Sequence, residues 1–198
     1  MDIINVNSVG ILLLGMYIGI DLIKNNTENM LKRIIFYSFI FYLIVIGQLT
    51  TGGINVTPKS TANEVSLTHF IHVIPFYFSY DLWTSLRNNG LDWFFMNTIK
   101  FYFYNLIMLV PLGVYLALLF RLKSLKKAVI IVFLTSLTIE TYQLLLGLFG
   151  LVWGRAFSVD DLILNTLGGA VGYIVIIFLI EKFEYSVAKG SETSFGKQ

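Results

Sequence analysis

Cysteine is absent from the sequence, which excludes disulfides, thiolate metal ligands and a cysteine nucleophile. Charge is scarce: Asp, Glu, Lys and Arg together make up 13% of the 198 residues, and the formal net charge is +2. No stretch carries basic residues densely enough to neutralise a run of phosphates, so nucleic acid is set aside as a partner. Histidine occurs twice, at His69 and His72, and proline three times. In place of these the chain is 56% hydrophobic with a mean hydropathy of +0.75, far from the mix of a soluble domain. This is the composition of an integral membrane protein. The N-terminal stretch has Asp2 and no Lys or Arg ahead of its first apolar run, and no small-residue cleavage site follows. The first segment is therefore expected to be retained rather than removed as a signal peptide.

A membrane span needs about 20 mostly apolar residues. Five segments meet that criterion, from Val6 to Ile23, Ile34 to Thr50, Ile99 to Phe120, Ala128 to Phe149, and Asp161 to Ile180. They predict an all-α, polytopic membrane helix bundle. Asn7 and Asp21 interrupt the first segment, for which an amphipathic helix lying on the surface is the alternative. Lys24, Lys32 and Arg33 fall between the first two segments, Arg121, Lys123, Lys126 and Lys127 between the third and fourth, and Lys182 and Lys189 after the fifth. Cytoplasmic loops are enriched in Lys and Arg, so the expected orientation has the N-terminus outside and the C-terminus inside.

The expected organisation is two spans in residues 1–52, an extracellular connection in 53–98, the remaining spans, and a disordered cytoplasmic tail in 181–198. The connection begins with turn chemistry in "TTGGINVTPKSTANEVS". It continues with Phe76, Tyr77, Phe78, Trp83, Trp93, Phe94 and Phe95, aromatics that favour the headgroup region of a membrane or a shallow re-entry into it.

Polar residues inside the apolar segments are the candidate site. An ionised Glu140 at membrane depth costs on the order of 3 kcal/mol, so it should face protein or a hydrated cavity. Ser136, Glu140, Gln143 and Gly147 recur at spacings that share one helical stripe. Asp161, Asn165, Gly168 or Gly169, and Gly172 do the same in the fifth segment, where Gly168 and Gly172 form a G-x-x-x-G pattern that admits a neighbouring helix closely. Asn105 lies in the third segment, followed by Pro111, which removes a helix hydrogen bond and frees the carbonyl of Ile107, and by Gly113. Arg155, a few residues before Asp160 and Asp161, has the fork of donors to join carboxylates from facing helices. These charges either pin the helices together or line an outward-facing pocket.

In this order the residues resemble the VanZ-like family, named for a teicoplanin-resistance accessory protein of Gram-positive bacteria. The resemblance runs from Ile74 to Tyr173. It is carried by "IPF" at Ile74 to Phe76, "NLIMLVPLG" with Asn105, Pro111 and Gly113, "SLTIETYQ" with Ser136, Glu140 and Gln143, and "GRAFSVDDLILNTLGGAVGY" with Arg155, Asp160, Asp161, Asn165 and the glycines. The family's usual Arg and Asn ahead of the Pro-Phe pair are replaced by "THFIHV", and the first two segments lie outside the resemblance. It implies a VanZ-like membrane domain over 74–180 and a multi-pass protein of the bacterial plasma membrane associated with reduced sensitivity to glycopeptide and lipoglycopeptide antibiotics.

The expected function is binding of an amphiphile by Asn105, Ser136, Glu140, Gln143, Arg155, Asp160, Asp161 and Asn165. Pro111, Gly113, Gly168, Gly169 and Gly172 would serve helix packing. Partners would be membrane lipids and a lipid-linked cell-wall precursor or a lipoglycopeptide. No cofactor or metal is expected and no catalytic residue is assigned. Ser136 and Ser158 have no histidine nearby in sequence to activate them, while His69 and His72, at spacing three, would be the only histidines for a metal site. The alternatives are an intramembrane enzyme acting on a lipid-linked substrate, with paired acids as general acid and base, and a small flippase or transporter.

Overall fold

The computed structural model describes residues 3–4, 6–25, 29–51, 54–55, 71–152 and 156–195. Among them, five helices are long and apolar enough to cross a membrane. These are α1 (Val6–Asn25), α2 (Met30–Thr51), a consecutive pair formed by α4 (Trp93–Met108) and α5 (Val110–Leu118), α6 (Leu125–Leu148), and α7 (Val159–Phe195). A further helix, α3 (Tyr77–Asn89), precedes α4. Four two-residue strands complete the described elements. β1 (Ile3–Ile4) pairs antiparallel with β2 (Ile54–Asn55), and β3 (Ile71–His72) pairs parallel with β4 (Phe157–Ser158).

The third span begins at Trp93, six residues earlier than the apolar count from Ile99 suggests. Its start is set by Asp92, whose side chain accepts the Phe95 N–H at 3.0 Å as an N-cap. Gly90, at φ 66°, ends α3 two residues before that, so the two helices form a hairpin. Much of the aromatic connection is thus helix. At the other end of the chain the apolar run stops at Ile180 but α7 continues to Phe195, so the stretch from Glu181, expected to be disordered, is helical up to that residue. Glu181, Lys182, Glu184 and Ala188 are good helix formers, and a helix already nucleated in the span extends without a new nucleation cost.

Pro111 does not bend a continuous helix. The chain breaks at Leu109, whose N–H turns back to the Ile107 carbonyl, and Pro111 then sits in the first turn of α5, where its missing N–H leaves nothing unsatisfied. The neighbouring carbonyl of Met108 accepts the Tyr42 hydroxyl at 3.0 Å. Backbone groups freed inside a span are in this way satisfied from another helix, as a water-free surrounding requires.

Glycine decides how α7 meets this broken span. A Cβ on Gly168 would strike the Leu106 carbonyl, one on Gly172 the Val110 carbonyl, and one on Gly113 the Gly169 carbonyl. Backbone therefore packs directly on backbone along α4, α5 and α7, the geometry that small residues permit in membrane helices. Around the seam lies the core, with Leu109, Ala128 and Val132 fully buried beside Leu112, Leu116 and Tyr173. The Tyr173 hydroxyl donates to the Leu122 carbonyl at 2.8 Å, tying α7 to the turn before α6. By contrast, α1 packs chiefly on α2. That hairpin is pinned by Asp21, which takes the Arg33 guanidinium at 2.5 and 2.6 Å and also the Tyr37 hydroxyl.

Candidate functional site

The two faces of α6 treat their polar groups oppositely. Thr135, Thr138 and Thr141 each return their hydroxyl to the carbonyl four residues earlier, which lets them face an apolar surrounding without an external partner. Ser136, Glu140 and Gln143 are buried and bond to other elements. Ser136 Oγ accepts Asn165 Nδ2 at 3.1 Å, Glu140 Oε2 accepts the Ser158 N–H at 3.0 Å, and Gln143 Nε2 donates to the Thr50 carbonyl at 2.7 Å. Glu140 is 2% exposed and Asn165 0%. The carboxylate thus meets a donor at the entry to α7 instead of facing lipid. The Gln143 bond also satisfies a carbonyl in the last turn of α2, which has no intrahelical partner. Gln143→Leu is expected to destabilise the protein by about 1–2 kcal/mol and to speed hydrogen exchange at the end of α2, as read by mass spectrometry.

The start of α7 is held from several sides. Ser158 Oγ accepts the Asp161 N–H at 3.3 Å, and a serine three residues before an acid is a helix-start pattern. Asp160 points to another helix start: its Oδ2 accepts the Phe78 N–H at 2.6 Å in the first turn of α3, where an anion is favoured. Phe76, just before, has φ 62° and ψ 19°, a left-handed conformation that costs a bulky residue about 1–3 kcal/mol. The "IPF" turn sustains that strain while it aims the α3 N-terminus at Asp160. β3 against β4 brings His72 beside Ser158, and Tyr102 on α4 donates to Asp81 on α3 at 2.9 Å.

Two cavities open at this end of the bundle. The larger, about 540 Å³, lies between α2, α4 and α6; its walls are mostly apolar, with Tyr42, Val45, Ile46, Phe101 and Met108, and they close on Asn105, Glu140, Gln143 and Asp161. The smaller, about 300 Å³, is lined by His72, Tyr77, Asp81, Tyr102, Ser158 and Asp160 among others. Phe101, Gln143 and Asp161 belong to both, so the chambers adjoin.

Of the residues singled out from sequence, Ser136, Glu140, Gln143, Asp160, Asp161 and Asn165 all gather here and are buried. Asn105 lines the larger chamber, and its Nδ2 has no hydrogen-bond partner among the described residues. Pro111 also borders that chamber, whereas Gly113, Gly168, Gly169 and Gly172 stand in the helix seam. Arg155 and His69 lie outside the described residues. Asp81, Tyr102, Thr50 and Tyr42 are site residues that sequence reasoning did not single out. The spacing of Ser158 to Asp161 was readable as a helix start, but nothing local in the sequence pairs Asp81 with Tyr102 across 21 positions.

A family model described as VanZ/LLP1 matches residues 34–180. The chain belongs to the VanZ/LLP1 family. No curated protein and no solved structure matches it. In this VanZ/LLP1 protein the matched region takes in α2, which the motif-based resemblance from Ile74 onward left outside. The correction has a structural reason: α2 supplies Tyr42, Val45, Ile46, Leu49 and Thr50 to the larger chamber. Its contribution there is an apolar wall and a main-chain carbonyl, neither of which reads as a motif.

Proposed function

We propose that this VanZ/LLP1 protein binds an amphiphilic molecule of the cell envelope and thereby lowers sensitivity to glycopeptide and lipoglycopeptide antibiotics. A lipid-linked cell-wall precursor or a lipoglycopeptide has the required character. The reading is carried by the adjoining chambers, one mostly apolar and the other richer in polar side chains, joined at Phe101, Gln143 and Asp161. An acyl chain would occupy the first and a head the second. Their volumes fall in the range of small-molecule sites, which combine apolar walls with a few placed polar groups. Asn105 Nδ2 offers the ligand a donor in the larger chamber.

The distribution of Lys and Arg supports placing the chambers at the outer face of the bacterial plasma membrane, with the C-terminus in the cytoplasm. Charge-assisted bonds from Asp160, Asp161, Glu140 and Arg155 would then select the head of a ligand entering from the outer leaflet.

Protein in nanodiscs is expected to bind lipid-linked precursor or lipoglycopeptide, and Val45→Trp, which fills the apolar chamber, to weaken that binding about tenfold or more, or roughly 1.4 kcal/mol. Cells carrying Val45→Trp should show the drug sensitivity of cells lacking the protein. Binding and sensitivity both indifferent to Val45→Trp would reject the reading.

A further inference from the structure

The polar end of the proposed ligand would enter a chamber lined with acids. Asp81, Asp160 and Asp161 border the smaller cavity, and Glu140 stands in the adjoining wall of the larger one. Among the described residues His72 is the only basic side chain on the smaller cavity's lining. Arg155, whose sequence position suits it to these carboxylates, lies outside the described residues. One guanidinium would still leave three of the four acids in excess.

Asp160 turns this surplus into a site. It is 4% exposed, and its Oδ2 is taken by the Phe78 N–H. Its Oδ1 is buried and has no hydrogen-bond partner among the described residues, although the side chain borders the chamber. A buried carboxylate oxygen without a donor is costly, and a ligand N–H would remove that cost. The aromatic side chains of Tyr77, Phe101 and Tyr102 share the lining, and aromatic faces beside carboxylates suit an organic cation.

Resting on the reading that the chambers bind an amphiphile, we infer that the smaller chamber selects a ligand whose head carries an ammonium group. Asp160 Oδ1 accepts one of its N–H bonds, and Asp81 and Asp161 supply the surrounding negative charge. No three His, Asp or Glu side chains among the described residues converge as a metal site requires, whereas the three N–H donors of an ammonium reach separate acceptors. A phosphate head would meet like charge, and a hydroxyl head would forgo the charge-assisted bond.

Three probes with one photoactivatable alkyl chain, ending in an amine, a hydroxyl or a phosphate, test this on the full chain in phosphatidylcholine nanodiscs. The amine probe is expected to label the chamber with affinity about tenfold above the hydroxyl probe. Asp160→Asn keeps an oxygen for the Phe78 N–H. It should erase that preference while hydroxyl-probe labelling persists, which shows the chamber intact. If Asp160→Asn also loses the hydroxyl probe, Asp81→Asn decides: an amine preference undiminished there overturns the inference. Equal labelling by amine and hydroxyl probes in the unsubstituted protein, or strongest labelling by the phosphate probe, overturns it and leaves the amphiphile reading standing. Failure of all three probes to label the chamber sinks both.

Discussion

Gly168→Ala is expected to destabilise the protein by about 3 kcal/mol, the upper part of the usual range for overpacking, even though it adds a single methyl group. Alanine is otherwise the better helix former by about 1 kcal/mol, so the direction alone is informative. The new Cβ would fall on the Leu106 carbonyl, and a main-chain atom held inside a helix cannot rotate aside. Relief would require α4 and α7 to separate, which also opens the contacts of Gly172 with Val110 and of Gly113 with Gly169. Gly19→Ala is the matched control, because nothing lies within 4 Å of a Cβ there, and it should be neutral or slightly stabilising. Chemical unfolding in mild detergent, followed by circular dichroism, measures both. Equal stability of the two variants would show that the close approach along α7 does not hold the bundle together.

Glu140 is expected to give the second large effect, split between two substitutions. Glu140→Leu removes the acceptor of the Ser158 N–H at the entry to α7. A buried donor left without a partner costs about 1–3 kcal/mol, and the loss should appear as weakened stability together with faster hydrogen exchange at Phe157 to Asp161. Glu140→Gln keeps an oxygen in the same place and should stay within about 1 kcal/mol of the original stability. It nonetheless lowers the negative charge of the chambers, so binding should fall more than stability does. If Leu and Gln prove equally stable, the bond to Ser158 is not what fixes the start of α7.

Both predictions use residues that spacing alone made visible. Ser136, Glu140 and Gln143 recur at four and three residues, and Asp161, Asn165 and Gly168 do likewise, so a helix places each set on one stripe. The cost of solvating such groups in lipid then requires each stripe to face protein or water. That requirement holds whatever the helices' arrangement, and it accounts for how much of the site could be read in advance. Helix ends were less legible. Asp92 starts α4 through a side-chain cap, and an apolar count overlooks a helix turn that is aromatic and polar. Pro111 marked a disturbance, but the break at Leu109 and the donation from Tyr42 to Met108 depend on which helix lies alongside. The acidic chamber was hidden for the same reason, since Asp81 and Asp160 come from helices 79 positions apart in the chain.

What the sequence determined by itself is the membrane-spanning character of the chain, its helical segments and the faces its buried polar residues must share, because these follow from local periodicity and from the cost of placing polar groups in lipid. Which stripes meet was decided only by the tertiary structure. Gly168 and Gly172 bring α7 against the broken span formed by α4 and α5, and the strained turn at Phe76 turns the start of α3 toward Asp160. Contacts of this kind join residues far apart in the chain, and they depend on the shape of both surfaces at once rather than on the pattern of either.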